Sequence, residues 1–219
     1  ELEPGLRLLA TEPDATRSDD RRSVSTAVLH TLVLDHLLIH GGTVQWVDAG
    51  GHATTRPLAR LAPSERSLER IQVGRAFTPH QHLALLEQVA HHVGDETSLV
   101  VCPALDLPYR DGDCSRDAER LLLRALSLVA GVARDHDVPV LMTRAGGDAF
   151  AEPIDTAATE RIEYRETRHG PRFVGEAFET LVYPTGDGFV QTTLAFWQQT
   201  LDARTPLYDA AETGLLAEA

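Results

Sequence analysis

The sequence predicts one α/β domain, with a mostly parallel central sheet between helices and antiparallel strands added near the C-terminal end. Apolar runs of strand length alternate with longer segments in which apolar residues recur every three or four positions, as on one face of a helix. The run at 97–105 is almost wholly apolar, which is typical of a strand covered on both faces. After residue 158, apolar and polar residues alternate, which favours antiparallel strands.

Three strands and three helices are predicted in the first half of the chain. Two glycines stop the first helix after His40, and the third helix has Thr78 as its cap and a proline in its first turn. The strands are expected at 5–11, 43–49 and 70–76, and the helices at 24–40, 55–62 and 78–94.

The second half begins with the apolar strand at 97–105. A long amphipathic helix with a serine cap is predicted at 115–137, and a strand at 138–144. The antiparallel strands are expected at 159–168, 171–179 and 188–196, added to the edge of the sheet. The acidic tail at 198–219 has weak patterning. We therefore expect a single domain over 1–219, with its core at about 5–197.

The charge balance is strongly acidic. The formal net charge is −13 at pH 7, the isoelectric point is near 5.1, and all 20 basic residues are arginine. Asparagine is also absent, and this composition is typical of a salt-loving organism with a high-GC genome. An acidic surface repels nucleic acid in dilute salt. At about 1 M salt, however, charges are screened within roughly 3 Å, so acidity alone does not exclude DNA binding.

The sequence also bears on the compartment. No apolar run approaches the roughly 18 residues that a membrane span needs. The first residues, "ELEPG", lack the basic and apolar regions of a secretory signal. Cys102 and Cys114 do not make a disulfide framework. We expect a soluble, cytoplasmic protein with no membrane partner.

Four segments occur in an order known from one protein family. The segment "VQWVDAGGHATTRPLARL" has a strand ending in aspartate, and "RIQVGRAFTPHQHLALLEQV" has an "RAF" strand before an "HQ" helix. "VPVLMTRAGG" and "ERIEYRETRHGPRFVGEAFE" follow. Together they resemble the RecA/RadA recombinase superfamily over roughly residues 5–195, and the archaeal RadA/RadB branch best. The resemblance implies a RecA-like core, with a DNA-binding loop after "VPVLMTR".

The resemblance also implies where an ATP site would lie. The family holds phosphates with a glycine-rich loop and a lysine, and magnesium with a Ser or Thr hydroxyl. Matching "LHTLV" to the family's helix places Ser25 at the lysine position and Thr26 at the magnesium position. Residues 6–40 contain no glycine, and Asp19 and Asp20 would repel a triphosphate. We therefore expect a degenerate phosphate loop and no bound cofactor.

Two further parts of the family's ATPase are missing at the matching positions. Cys102 and Pro103 stand where the family has the aspartate of its central strand, and Asp106 lies further along. Gly50 stands near the position of the catalytic glutamate. The loss of three chemically distinct parts predicts a protein without ATPase activity.

Other site chemistries have weaker signals. His36 and His40, with Asp35 beside them, have a spacing that can bind metal. No third ligand has a predictable position, so polar positions near a helix end are the favoured explanation, and we expect no metal site. The histidines of "HQH" at 80–82 are expected on a solvated face. The histidine and hydroxyls of "GGHATT" lack the elbow motif of a hydrolase.

Arginines near the predicted DNA loop and the late hairpin are the candidates for contact with nucleic-acid phosphates. These candidates are Arg144, Arg161, Arg165, Arg168 and Arg172. The alternative is that they balance the glutamates of an exposed hairpin. The presumed loop at 145–158 carries three acids and no base, which weighs against direct DNA binding there.

The sequence therefore favours a non-catalytic RecA/RadA-like paralogue that acts as an accessory or scaffold in DNA recombination and repair. Its expected partner is another RecA-fold subunit or a repair protein. Two alternatives stay open. One is nucleotide-independent DNA binding through the arginine-rich hairpin, and the other is a KaiC-like regulatory role outside repair.

Overall fold

The computed structural model describes residues 2–11, 18–62, 64–110, 117–167, 170–176, 178–180, 182–184 and 190–192. The strands are β1 (Gly5–Thr11), β2 (Thr43–Asp48), β3 (Ile71–Arg75), β4 (Thr97–Cys102), β5 (Pro139–Met142), β6 (Glu160–Thr167), β7 (Gly170–Val174), β8 (Val182–Pro184) and β9 (Val190–Thr192). The helices are α1 (Ser18–His40), α2 (Thr55–Leu61), α3 (Glu65–Glu69), α4 (Pro79–His92), α5 (Ala118–His136) and α6 (Glu152–Ala157).

Seven of these strands form one sheet in the order β3-β2-β4-β5-β1-β6-β7. The strands β1 to β6 are all parallel, and β7 pairs antiparallel with β6. Parallel neighbours need crossover connections, which the helices supply. The predicted α/β class with a mostly parallel sheet is confirmed, and the architecture is consistent with a RecA-like core.

One face of the sheet packs against α1. Leu29, Val33 and Leu37 of this helix are buried against Trp46 of β2 and Leu141 of β5. The short helices α2 and α3 contact α1 on the same side. The spacing of the α1 residues by four positions is the helical period that the sequence analysis used.

The opposite face packs against α4, α5 and α6. The buried stripe of α5 includes Leu122 and Val129, and it lies in one cluster with Leu8 of β1, Val140 of β5 and Ile154 of α6. Both faces of the central strands are therefore covered, as the apolar run of β4 predicts. None of the described helices has the length and apolar composition that a bilayer span requires.

Three helical features differ from the prediction. Helix α1 begins at Ser18 rather than Val24, and a serine followed by two aspartates is a helix-start signal that the prediction overlooked. The segment between 62 and 70 contains the unpredicted α3. The presumed loop at 145–158 contains α6, which begins with Glu152 and Pro153, both favourable at a helix start.

The late strands match the prediction in part. The predicted antiparallel pairing of C-terminal strands is confirmed for β6 and β7, but β6 itself joins the sheet parallel to β1. Its alternating pattern arises because Ile162 and Tyr164 are buried while Arg161 is exposed. β7 ends at Val174. β8, which was not predicted, pairs with β9 in a separate two-stranded sheet. The predicted tail at 198–219 lies outside the described residues.

Candidate functional site

Ser25 and Thr26, which the sequence comparison matched to a phosphate loop as an expectation, lie inside α1. Because α1 begins at Ser18, Ser25 and Thr26 are about two turns beyond its first residue. Backbone N–H groups at such positions donate to carbonyls one turn earlier, whereas a phosphate needs the free N–H groups of a helix N-terminus. The Thr26 side chain is half-buried and has an interaction partner.

The end of β2 is organised by one buried carboxylate. Asp48 accepts hydrogen bonds from the backbone N–H groups of Gly50 at 3.2 Å, His52 at 2.9 Å and Ala53 at 3.1 Å. Burial by itself would raise the pKa of Asp48, but the His52 side chain and these N–H groups hold that pKa at about 2. The side chain therefore fixes the 49–53 loop.

The same loop is tied to α1 by a buried histidine. His30 Nε2 lies 2.7 Å from the carbonyl oxygen of His52, and because a carbonyl only accepts, Nε2 must carry the proton. The His30 ring also packs against Trp46, with ring centroids 5.6 Å apart. Burial lowers the pKa of His30. A neutral histidine thus links the helix to the end of β2.

Gly50, at the expected position of the catalytic glutamate, lies against the His52 ring. A Cβ atom added at Gly50 would lie 2.3 Å from His52 Cε1. Any side chain at this position would therefore displace the ring. A glutamate at residue 50 would therefore require the His52 and Leu107 side chains to move.

The end of β4 has a different buried acid. Cys102 is fully buried, and burial raises the pKa of its thiol to about 12. Asp106, also fully buried, accepts hydrogen bonds from the backbone N–H groups of Ala145 at 2.6 Å and Gly146 at 3.3 Å. Arg110 donates to the same carboxylate. Asp106 therefore joins the segments that follow β4 and β5.

Arg110 extends this network to the surface. Its two terminal nitrogens donate to the carboxylate of Asp148 at 2.9 and 2.8 Å, and the resulting bond lowers the pKa of Asp148 to about 2. The guanidinium also lies over the Phe150 ring, 5.1 Å from its centroid. A Cβ at Gly146 would lie 2.5 Å from this guanidinium, so glycine permits the close packing.

The candidate nucleic-acid arginines on the segment after β5 and on β6 share acidic partners. Arg144 lies 3.4 Å from the Asp155 carboxylate, and Arg161 lies 3.3 Å from the same group. Arg161 and Arg165 also contact Glu163, at 3.3 and 2.8 Å. These contacts form an alternating row of charges, which reduces the positive charge available to a phosphate.

Arg172 of β7 forms an ion pair with Glu179. It lies directly opposite Arg165 in the β6–β7 register. Arg168, the remaining candidate, lies outside the described residues.

The predicted metal candidates have structural contacts. His36 is buried, and its Nε2 donates to the carbonyl of Ser98 at 2.8 Å. The His36 and His40 rings pack with centroids 4.5 Å apart. In the part of the chain that the structure describes, no group of three or more histidine, cysteine or acidic side chains could hold a metal ion.

One buried polar pair was missed by the sequence analysis. His82 was expected on a solvated face but is fully buried, with its Nδ1 2.6 Å from the hydroxyl oxygen of Tyr109. Burial lowers the pKa of His82 to about 4 and raises that of Tyr109. No local pattern marks this pair, because the two residues belong to separate elements and meet only in the fold.

No family model matches this chain, and a search of the curated proteins found no match.

Proposed function

We propose that this chain is a non-catalytic RecA/RadA-like paralogue, a pseudo-ATPase that acts as an accessory or scaffold protein in DNA recombination and repair. The proposal rests on the resemblance of the four ordered sequence segments. The seven-stranded sheet, with its mostly parallel order, is compatible with it.

The observation that carries the pseudo-ATPase proposal is the continuous α1 helix through Ser25 and Thr26. In a phosphate-binding turn, a flexible loop places several free N–H groups around the anion, and the helix begins immediately afterwards. Here those N–H groups belong to the helix interior. The chain also has no lysine to contact the β- and γ-phosphates.

The buried acids at the strand ends give further support. Asp48 accepts three backbone hydrogen bonds, and Asp106 binds Arg110 and two backbone N–H groups. A carboxylate engaged in this way has few lone pairs left for a magnesium ion or an attacking water. Both acids thus hold loops together.

A scaffold needs a surface for its partner, and the β3 edge of the sheet is a candidate. The backbone N–H of Val44 bonds to the carbonyl of Arg70, and that of Ala76 bonds to the carbonyl of Asp48. Alternate residues of a parallel strand form hydrogen bonds with the same neighbour. The backbone N–H and C=O groups of Val73 therefore point away from β2. Such an edge can take a strand from another subunit.

Isothermal titration with ATP and magnesium tests the pseudo-ATPase proposal. We expect no saturable heat, in both low and molar salt, and no difference between the natural chain and Thr26→Val. Micromolar affinity that is lost in Thr26→Val would overturn the proposal, because it would assign the hydroxyl its magnesium role.

A gel shift with single-stranded DNA separates the scaffold from the DNA-binding alternative. Because the described candidate arginines are paired with acids, we expect no shift at any salt concentration. A shift abolished by Arg161→Gln and Arg165→Gln would favour direct binding. Recovery of signalling proteins rather than repair proteins in a pull-down from the native organism would favour the KaiC-like role.

A further inference from the structure

The strand β3 forms one edge of the seven-stranded sheet, and among the described residues only β2 pairs with it. Exposed edge strands usually carry charges, a proline or a bulge that prevents pairing with another chain. β3 has the sequence "IQVGR", in which the single charge is at the last position, Arg75. The strand at the opposite edge, β7, contains Pro171 and Arg172. β3 is therefore the edge that is open to a further strand.

The backbone of β3 has hydrogen-bonding groups that face away from the sheet. The N–H of Val44 in β2 bonds to the carbonyl of Arg70, just before β3. In a parallel pair, alternate residues of a strand bond to the same neighbour. Ile71, Val73 and Arg75 therefore direct their N–H and C=O groups away from β2. These groups can form a ladder with a strand that lies alongside.

Both faces of β3 border a groove. On the face covered by α4, a groove of about 280 Å³ is lined by Gln72, Gly74 and Leu85, among others. On the face covered by α2 and α3, a groove of about 260 Å³ is lined by Ile71 and Val73, among others. The Val73 side chain is 41% exposed. Because successive side chains of a strand point to opposite faces, a strand added to this edge would place side chains in both grooves.

We propose that the β3 edge binds the β3 edge of a second copy of this chain, in an antiparallel arrangement with a twofold axis at Val73. In this register Ile71 of each copy lies opposite the partner's Arg75, and the outward backbone groups of both strands form about six hydrogen bonds. Val73 packs against the partner's Val73, a cross-strand contact of the kind that stabilises a sheet. An interface with this symmetry closes as a dimer. This inference rests on the scaffold function proposed above and names the partner of the sheet edge.

Charge complementarity favours a second copy in this orientation. Glu69, which is exposed at the end of α3, lies two residues before β3, and Arg75, with its side chain 54% exposed, ends the strand. An antiparallel arrangement brings Arg75 of each copy to the end of the interface that holds the partner's Glu69, so opposite charges meet at both ends. Residues 64–78 contain three arginines and two glutamates. This segment is therefore nearly neutral, although the net charge of the chain is −13.

Two other positions are complementary in the same register. Gly74 of each copy lies opposite the partner's Gln72, and because glycine has no side chain, the exposed glutamine has room beside it in the groove on the α4 face. Phe77, which is 85% exposed, follows β3. The antiparallel arrangement brings Phe77 to the end where the partner's β3 begins, so its ring can cover the apolar side chain of the partner's Ile71.

Analytical ultracentrifugation of the full chain tests the dimer, in molar salt, where repulsion between two acidic chains is screened. We expect a reversible equilibrium between monomer and dimer, with a dissociation constant below about 500 µM and no larger species. Val73→Lys, which places like charges opposite each other, should weaken the dimer at least about tenfold. Leu123→Lys, at a 51% exposed position of α5, should not. Unchanged thermal unfolding verifies that both variants fold.

Disulfide cross-linking in a Cys114→Ser background tests the register. Val73→Cys places the two equivalent Cα atoms about 5.5 Å apart, within the range of a disulfide. Gln72→Cys, also at an exposed position, places them about 8 Å apart, beyond that range. On mild oxidation, Val73→Cys should therefore form covalent dimers at least about tenfold faster than Gln72→Cys. Equal or faster cross-linking of Gln72→Cys would overturn the proposal.

The outcomes are separable from those of the proposed function. A chain that stays monomeric up to about 1 mM, or a dimer that is equally strong in Val73→Lys, would overturn this inference while leaving the ATP titration unaffected. Growth into species larger than a dimer would also overturn it, because the twofold arrangement uses both edges. ATP binding by a dimer that Val73→Lys disrupts would instead contradict only the pseudo-ATPase proposal.

Discussion

His30 and His52 are joined by a buried hydrogen bond in which Nε2 of His30 donates to the backbone carbonyl of His52, 2.7 Å away. This bond connects the interior of α1 to the loop after β2. It fixes these two segments directly to each other.

We predict that His30→Leu destabilises the protein by about 1 kcal/mol, because it removes the side-chain donor to the buried His52 carbonyl, which then keeps only the Thr54 N–H at 2.9 Å. Urea unfolding measures the change. The control is His80→Leu, at an exposed position of α4, which should change the free energy of unfolding by less than about 0.5 kcal/mol. Equal stability of His30→Leu and the natural protein would contradict the structural role.

Asp48→Asn should destabilise the 49–53 loop and alter the response to acid. The pKa of Asp48 in the folded protein is about 2, below the ordinary 3.8. The contribution of Asp48 to the free energy of unfolding is therefore fully present above pH 3.8 and is lost as the pH falls toward 2. This contribution amounts to about 2 kcal/mol. Unfolding measured between pH 2 and pH 4 should therefore depend less on pH in Asp48→Asn than in the natural protein. The same slope in both would refute the prediction.

His82 should make the protein less stable in mild acid. Its folded pKa is about 4, so between pH 6.5 and pH 4 the unfolded chain binds a proton that the folded chain does not. The free energy of unfolding is therefore unaffected by His82 above pH 6.5, and it falls by about 3 kcal/mol as the pH is lowered toward 4. His82→Gln, which keeps a polar partner for Tyr109 but does not titrate, should flatten this decline. His80→Gln, at an exposed site, should leave it unchanged.

Arg110→Gln should loosen the segment after β5. The buried Asp106 keeps two backbone donors but loses its cationic partner, at an expected cost of about 3 kcal/mol. Hydrogen exchange at Ala145–Ala158 should accelerate, whereas Arg134→Gln, an exposed pair with Asp135, should have little effect. Unchanged exchange in Arg110→Gln would show that other contacts hold the segment.

Much of the fold could be predicted because apolar periodicity reports burial directly. The buried stripe of α5 and the apolar strand β4 could be predicted from residues that are close together in the sequence. The direction of β6 relative to β1 could not be predicted from its pattern. A strand with one buried face shows the same alternation of apolar and polar residues whether its neighbour is parallel or antiparallel. Periodicity records which face is covered, but it does not record the direction of the neighbouring strand.

The candidate site was less predictable. The sequence named Arg144 and Arg161, but their shared acid, Asp155, lies on the unpredicted α6. Arg56 and Arg60, which lack an acidic partner among the described residues, were not singled out. Ion pairing depends on distances between side chains of different elements, and a local charge count gives no such distances.

The sequence by itself determined the α/β class, the absence of lysine and the lack of glycine in residues 6–40. Tertiary structure alone decided that Asp48 and Asp106 would hold loops, that His82 would be buried with Tyr109, and which arginines would be paired. The physical reason is the separation in sequence between the groups that interact. Backbone conformation and amphipathic patterning depend on neighbours within a few positions, whereas desolvation and charge pairing depend on groups that only the completed fold brings together.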